Sequence, residues 1–167
     1  MKKLLITLML TAASSAYADT NHSHADMNMD TAKMDHSGMS MEATSAVGMP
    51  AMGSKPDKVV HVMLTDDMKI NFKKDVEIKS NDVVQFVVMN IGKMKHEFVI
   101  GSPEEQAEHR EMMKTMSGHD HDSGNSVTVE PGKAKQILWH FHGDKTVELS
   151  CNIPGHYEAG MTKTLQL

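Results

Sequence analysis

A thiol, an imidazole and a thioether fall at equal intervals on one short stretch. They are Cys151, His156 and Met161, within Cys151-Asn152-Ile153-Pro154-Gly155-His156-Tyr157-Glu158-Ala159-Gly160-Met161. Cys151 is the single cysteine of the chain. Soft sulfur combined with nitrogen suits copper cycling between Cu(I) and Cu(II), and a second imidazole would complete a trigonal site of two histidines and one cysteine with methionine as the weak axial ligand. His96 is the candidate for that imidazole. It lies in the strand-like segment Lys95-His96-Glu97-Phe98-Val99-Ile100, where it alternates with Phe98 and Ile100 and so faces the core side. A core-facing histidine needs a partner, and a metal supplies one.

The elements that must hold these residues read as short strands. Val147 to Ser150 delivers Cys151 at its end, Pro154-Gly155 is a turn that brings His156 back beside the sulfur, and Met161 to Leu167 closes the chain as a strand. Upstream, Lys58 to Thr65 alternates apolar Val60, Val62 and Leu64 with polar residues, Asp66-Asp67 is a turn, and Met68 to Phe72 alternates again. Val76 to Lys79 reads as a further short strand, and the nearly continuous apolar run Val83 to Met89 as a central strand covered on both faces. Ser102-Pro103-Glu104-Glu105 starts a helix, with Ser as cap, Pro at the first helical position and Glu at the third. His109, Met112, Met113 and Met116 fall on one face of it, spaced so as to pack on the strands, and Gly118 stops it. Asn125 to Glu130 and Gln136 to His142 are two more strands. In the second, Ile137, Trp139 and Phe141 face the core, while His140 and His142 share the other face, where they either chelate a metal or stand as two solvated histidines. Short strands broken by turn residues predict an all-β sandwich with one short inserted helix.

The first 55 residues are of another kind. Lys2-Lys3, the apolar run Leu4 to Leu10 and Ala16-Tyr17-Ala18 form the charged, apolar and small-residue regions of a signal peptide spanning residues 1–18, which predicts export to the periplasm. The run is too short to span a bilayer, so no membrane insertion is expected. Its removal takes away two lysines and no acid, moving the formal charge from −5 to −7, a poor balance for binding nucleic acid. Residues 19–55 have no helical or strand period and read as a disordered tail preceding a folded part at 56–167. That tail is rich in candidate ligands for accessory copper: His22, His24, Met27, Met29, His36, Met39 and Met41, with Met34, Met49 and Met52 between and after them. His119 and His121, on a polar loop after the helix, are further candidates, for copper or zinc. Seventeen methionines and eleven histidines in 167 residues, against 4% aromatics, point to copper independently of the cysteine loop.

The Cys-x4-His-x4-Met loop resembles the type 1 copper loop of the cupredoxins, the family of plastocyanin, azurin and rusticyanin. Its spacing is closest to the rusticyanin-like members. The resemblance spans roughly residues 56–167. It implies a Greek-key sandwich with His96, Cys151, His156 and Met161 as ligands of one type 1 copper. It also implies that His156 reaches the surface through an apolar patch to which Ile153, Pro154, Tyr157 and Ala159 contribute. The whole arrangement of signal, Met/His tail, Met/His loop and one such domain is similar to the periplasmic copper-resistance cupredoxins of the CopI type. The function this implies is copper binding and tolerance with single-electron redox capability, in a monomer that meets copper ions and a redox protein partner. The alternative is a dedicated electron-transfer cupredoxin. An enzyme is not expected. Ser150 and Asn152 flank Cys151 where copper oxidases and nitrite reductases wire the cysteine through a histidine, a binuclear centre would need a second cysteine, and no hydrolase or nucleotide motif is present.

Overall fold

The computed structural model describes residues 45–115 and 122–167. The segments read as a signal peptide and as the tail as far as residue 44, and Met116, His119 and His121, therefore lie outside the described residues. Among the described residues are nine strands and one helix, in two sheets packed face to face.

The first sheet holds β1 (Gly48–Pro50), β2 (Lys58–Thr65), β3 (Lys69–Phe72), β4 (Val83–Asn90) and β7 (Ala134–Phe141), in the order β1-β7-β4-β2-β3. The second holds β5 (His96–Gly101), β6 (Ser126–Val129), β8 (Thr146–Ser150) and β9 (Thr162–Gln166), in the order β6-β5-β8-β9. β2 and β4 run parallel and every other pairing among these strands is antiparallel. Period-two burial along the strands produces the core. Val60, Val62 and Leu64 of β2 meet Val84, Phe86 and Val88 of β4, Ile137, Trp139 and Phe141 of β7, and Phe98 and Ile100 of β5. Phe86 bridges the layers, its ring centre 5.4 Å from that of Phe98 in the facing sheet and 6.1 Å from that of Phe141 in its own.

Two segments differ from the sequence expectation. β4 is covered on one face only: Val84, Phe86 and Val88 are fully buried, whereas Met89 is exposed and Val83, Gln85 and Val87 are half-buried. An apolar run does not reveal whether a second layer covers its far face, and among the described residues of this two-sheet sandwich none does. Residues 76–79 form no strand. They cross as a loop whose Ile78 plugs into the core, tied down by Lys79 N–H donating to Asp82 Oδ2 at 2.6 Å and Lys58 Nζ donating to the Glu77 carbonyl at 2.7 Å.

The fold also begins earlier than residue 56. β1 lies within the segment read as tail and pairs with β7, Gly48 opposite Phe141 and Met49 opposite His140. Val47 is fully buried in the core, and the Trp139 indole N–H points at its carbonyl at 3.4 Å. Upstream of the strand, Ser45 Oγ and Ala46 N–H each donate to the Glu105 carboxylate at 2.7 Å. Three residues carry too little pattern to be read as a strand, yet β1 caps the edge of the sheet beside its largest core residue. A chain starting at residue 45 is therefore expected to unfold with the midpoint of the longer protein. One starting at residue 56 is expected to unfold several degrees lower, as read by thermal circular dichroism; equal midpoints would show that β1 adds nothing.

Candidate metal centre

Two strands and one loop deliver the chemistry to one end of the sandwich. β5 opens on His96, β8 ends one residue before Cys151, and the loop 151–161 returns to β9. The ligand atoms of His96, Cys151 and His156 lie within 4.8 Å of one another, and among the described residues no other group of three His, Cys, Asp or Glu side chains does this. Cys151 Sγ stands 3.2 Å from His156 Nδ1, and the two imidazole centres are 5.1 Å apart. Met161 is fully buried and bound to the same loop: its N–H donates to the His156 carbonyl at 3.0 Å, and its carbonyl accepts the Cys151 N–H at 3.1 Å. The turn is tight because Gly155, after Pro154, takes φ +89°, a left-handed conformation that a side chain would strain.

His96 shows which atom is offered. Its Nε2 lies 3.1 Å from Asp66 Oδ1, while its Nδ1 is buried with no hydrogen-bond partner. A carboxylate on one ring nitrogen holds the proton there and leaves the lone pair on the other, the arrangement that orients metal-binding histidines. Asp66, in the β2–β3 turn, also accepts the N–H groups of Lys93 at 2.7 Å and Met94 at 3.2 Å, which fixes the loop leading into His96. The Lys93 N–H is the main reason its carboxyl stays below the usual range; the His96 and Met94 bonds add to this against a desolvation penalty. Gly92 is required beneath it, since a Cβ there would lie 2.0 Å from Asp66 Oδ1. Asn90, buried, donates to the Met94 carbonyl at 2.7 Å and the Val129 carbonyl at 2.8 Å, and accepts the Gly92 N–H at 2.9 Å.

The sulfur is positioned from behind. The Glu97 N–H donates to Cys151 Sγ at 3.2 Å, linking β5 directly to the cysteine. Glu97 itself is buried, its carboxylate accepting the Asn152 N–H at 3.2 Å and facing His109 Nε2 of the helix α1 (Pro103–Thr115) at 3.2 Å. Burial raises the Cys151 thiol to about 12, against the lowering effect of the Glu97 and Ile153 N–H groups. Burial, then the neighbouring His96, holds His156 below its usual 6.5. At neutral pH the Cys151 side chain is thus a thiol that gives up its proton only to a strong Lewis acid, and His156 beside it is a neutral imidazole.

The helix is the platform for this loop. Gln106, fully buried, donates to the Val99 and Glu148 carbonyls at 3.1 and 2.9 Å, and accepts the Ser150 hydroxyl at 2.6 Å and the Asn152 amide at 2.7 Å. Arg110 pairs with Glu148 at 3.1 Å and lies 3.5 Å over the Tyr157 ring, pinning the residue next to His156. The packed face therefore runs through Gln106, Arg110 and Met113. Of the methionine stripe expected to pack on the strands, Met113 is buried, while Met112 is 41% exposed. Polar groups of β5, β8 and the loop need partners, so the polar positions of the helix turn inward.

The sequence singled out His96, Cys151, His156 and Met161, and the structure brings the first three within reach of one ion, with Met161 anchored beside them. It did not reveal Asp66, Glu97, Gln106 or Arg110. Glu97 alone left a signal, as a charge in an otherwise apolar strand. His22, His24, Met27, Met29, His36, Met39, Met41, His119 and His121 lie outside the described residues.

No family model matches the chain. Curated relatives do. A copper-resistant cuproprotein CopI from Vibrio cholerae is 58% identical over 168 residues, covering 100% of this chain and 99% of that one. A protein of the same name from Pseudomonas aeruginosa is 35% identical over 72% of this chain and 81% of its own length. The chain belongs to the CopI family of copper-resistant cuproproteins. Among solved structures, a reduced auracyanin from Roseiflexus castenholzii superposes with a TM-score of 0.56 at 17% identity, over 68% of this chain and 98% of its own. Auracyanin B does so with 0.56 at 20%, over 72% and 95%. The fold is that of the cupredoxins, and the chain is a CopI-type cupredoxin.

The role of Gln106 can be measured. Gln106→Ala would leave the Val99 and Glu148 carbonyls, Ser150 and Asn152 without their buried partner, and is expected to cost about 3 kcal/mol in denaturant unfolding. The loss should come with a shifted visible spectrum of the copper-loaded protein; an unchanged spectrum would separate the helix from the metal centre.

Proposed function

We propose that this CopI-type protein is a periplasmic copper-binding protein that serves copper tolerance through one type 1 site and has single-electron capability. The residues that would hold the ion are His96 through Nδ1, Cys151 through Sγ, His156 through Nδ1, and Met161. The observation that carries the reading is the His96 Nδ1 atom, buried and unpartnered beside a thiol and a second imidazole, with Asp66 holding the other face of the ring. Copper supplies a one-electron couple at such a site, and two imidazoles, a thiolate and a thioether suit both of its oxidation states. The chain's own part is to prevent rearrangement: Asp66 fixes one ring, the Glu97 N–H fixes the sulfur, and Gln106 and Arg110 fix the loop.

Tolerance is favoured over a dedicated electron carrier by the Met/His-rich stretch upstream of residue 45, for which electron transfer has no use. Export rests on the signal-like residues 1–18. Among the described residues no helix is long and apolar enough to cross a membrane. Electron transfer is the second reading because His156 is only half-buried and stands beside exposed Pro154 and Ala159, a route for an electron to a partner. A non-enzymatic role is supported by Ser150 and Asn152, whose side chains are both committed to Gln106.

An anaerobic copper titration tests the proposal. A thiolate-to-copper band that saturates at one copper while binding continues supports tolerance with accessory sites, and a band saturating together with total binding supports the electron carrier. The absence of any band would sink the type 1 assignment. Because the thiol is raised to about 12, filling the site at pH 7 is expected to release close to one proton. The apparent affinity should therefore rise about tenfold per pH unit between pH 7 and 9. A second proton enters only on the acid side of 6.5, since His156 is held below that value.

A further inference from the structure

A second pair of imidazoles stands on the other sheet. His140, in β7, and His142, just after it, have ring centres 5.2 Å apart with the planes inclined at 59°. His96 and His156 at the metal centre show 5.1 Å and 58°. Two imidazoles on one ion, with metal–nitrogen bonds of about 2.0 Å, place their ring centres about 5 Å apart when the angle at the metal is roughly 110°. His142 Nε2 is buried and has no hydrogen-bond partner. Such an atom is costly to leave in this state and is explained if it is a ligand.

A methionine, with its sulfur donor, stands opposite one of the pair in the sheet. Met49 lies directly opposite His140 in the β1–β7 ladder, and on the far side of His140 the β4 partner is Val83, which offers no donor. Directly opposed residues in an antiparallel ladder share a face, with their Cβ atoms about 5 Å apart. Met49 is 38% exposed, so the position is open to ions from solvent. The register is not free to slip. Gly48 takes φ +145°, and a Cβ there would lie 2.2 Å from the His140 carbonyl oxygen, so the close approach that sets Met49 against His140 depends on this glycine.

We propose that Met49, His140 and His142 form a second copper site, on the outer face of the five-stranded sheet, that takes Cu(I). Two imidazoles and one thioether give three soft or borderline donors and no charge, a set that favours Cu(I) over harder divalent ions. The ion binds without change of oxidation state, and no electron or proton transfer is involved. The site shares no residue with the type 1 centre, and its existence does not rest on the type 1 assignment.

The test uses the full chain, anaerobic and reduced, with Cu(I) added while the histidine ring and methionine methyl NMR signals are followed. The His140 and His142 rings and the Met49 methyl are expected to shift together and saturate as one step. His140→Gln with His142→Gln should lower total bound Cu(I) by one equivalent while leaving the visible type 1 band of the oxidised protein in place, which also reports that the variant folds. Met49→Leu should weaken that Cu(I) step severalfold and leave the band unchanged. Rings that stay put while other methionine methyls shift would overturn the proposal, and so would rings that respond to Zn(II) and not to Cu(I). Since the type 1 band is read in the same samples, failure of this site and failure of the type 1 assignment give different results.

Discussion

A sulfur that is to bind copper must be buried and yet held without freedom; the core buries Cys151, and one hydrogen bond holds it. The Glu97 N–H donates to Cys151 Sγ across the gap between β5 and the end of β8. It places the sulfur beside His96, because His96 and Glu97 are consecutive on the same strand. The Glu97 side chain is itself buried, and a buried carboxylate must be partnered. The Asn152 N–H and His109 provide that, which brings the copper loop and the helix into the same network. Ser150, Asn152 and Gln106 then follow as the partners that the remaining polar groups require.

Much of this is legible in the sequence, for a physical reason. A strand has a period of two, so the apolar character of Phe98 and Ile100 is enough to turn His96 inward, and Pro154-Gly155 is enough to put a turn between Cys151 and His156. What stays hidden is long-range and polar. Asp66 reaches His96 across 30 residues and Gln106 reaches Ser150 across 44. An aspartate in a turn and a glutamine in a helix look the same whether solvated or committed. Apolar pattern reports which face is inward; it does not report which polar groups meet there. The same limit explains the helix, where the methionine stripe suggests a purely apolar contact and the structure buries Gln106 instead.

β1 and β4 depart from the sequence pattern in opposite ways that share a cause. β4 reads as covered on both faces because its outer residues are apolar, yet no layer among the described residues lies over them. β1 reads as tail because it is three residues long and carries one large apolar side chain. In both cases the outcome is decided away from the segment itself: for β4 by the absence of a covering layer among the described residues, for β1 by its pairing with β7 beside Trp139. The consequence for function is that Met49, which composition assigns to a low-complexity segment, is a fixed element of the sheet.

With the two proposed sites, the molecule would carry two kinds of copper chemistry with different demands. A site that changes oxidation state works best when its ligands cannot move, and the centre around Cys151 has its ligands held by separate elements: a turn carboxylate, a strand N–H and a helix. A site that only captures and releases an ion needs the opposite, open access and ligands whose release leaves the fold intact. Met49, His140 and His142 stand at the edge pairing of a sheet whose outer face is open, so an ion can leave without disturbing the core residues Trp139 and Phe141 that alternate with the two histidines. Rigidity also divides the cost of binding between the two places. At the Cys151 centre the fold has already met the entropy of ordering the ligands, so the binding energy of the metal goes into affinity. At Met49 a partly exposed thioether must give up rotamer freedom each time an ion arrives, which weakens the site and makes it reversible. The proposed tolerance role would draw on both: a weaker, accessible place where copper is taken up and given back, and a tight one whose ligands are set before the ion comes.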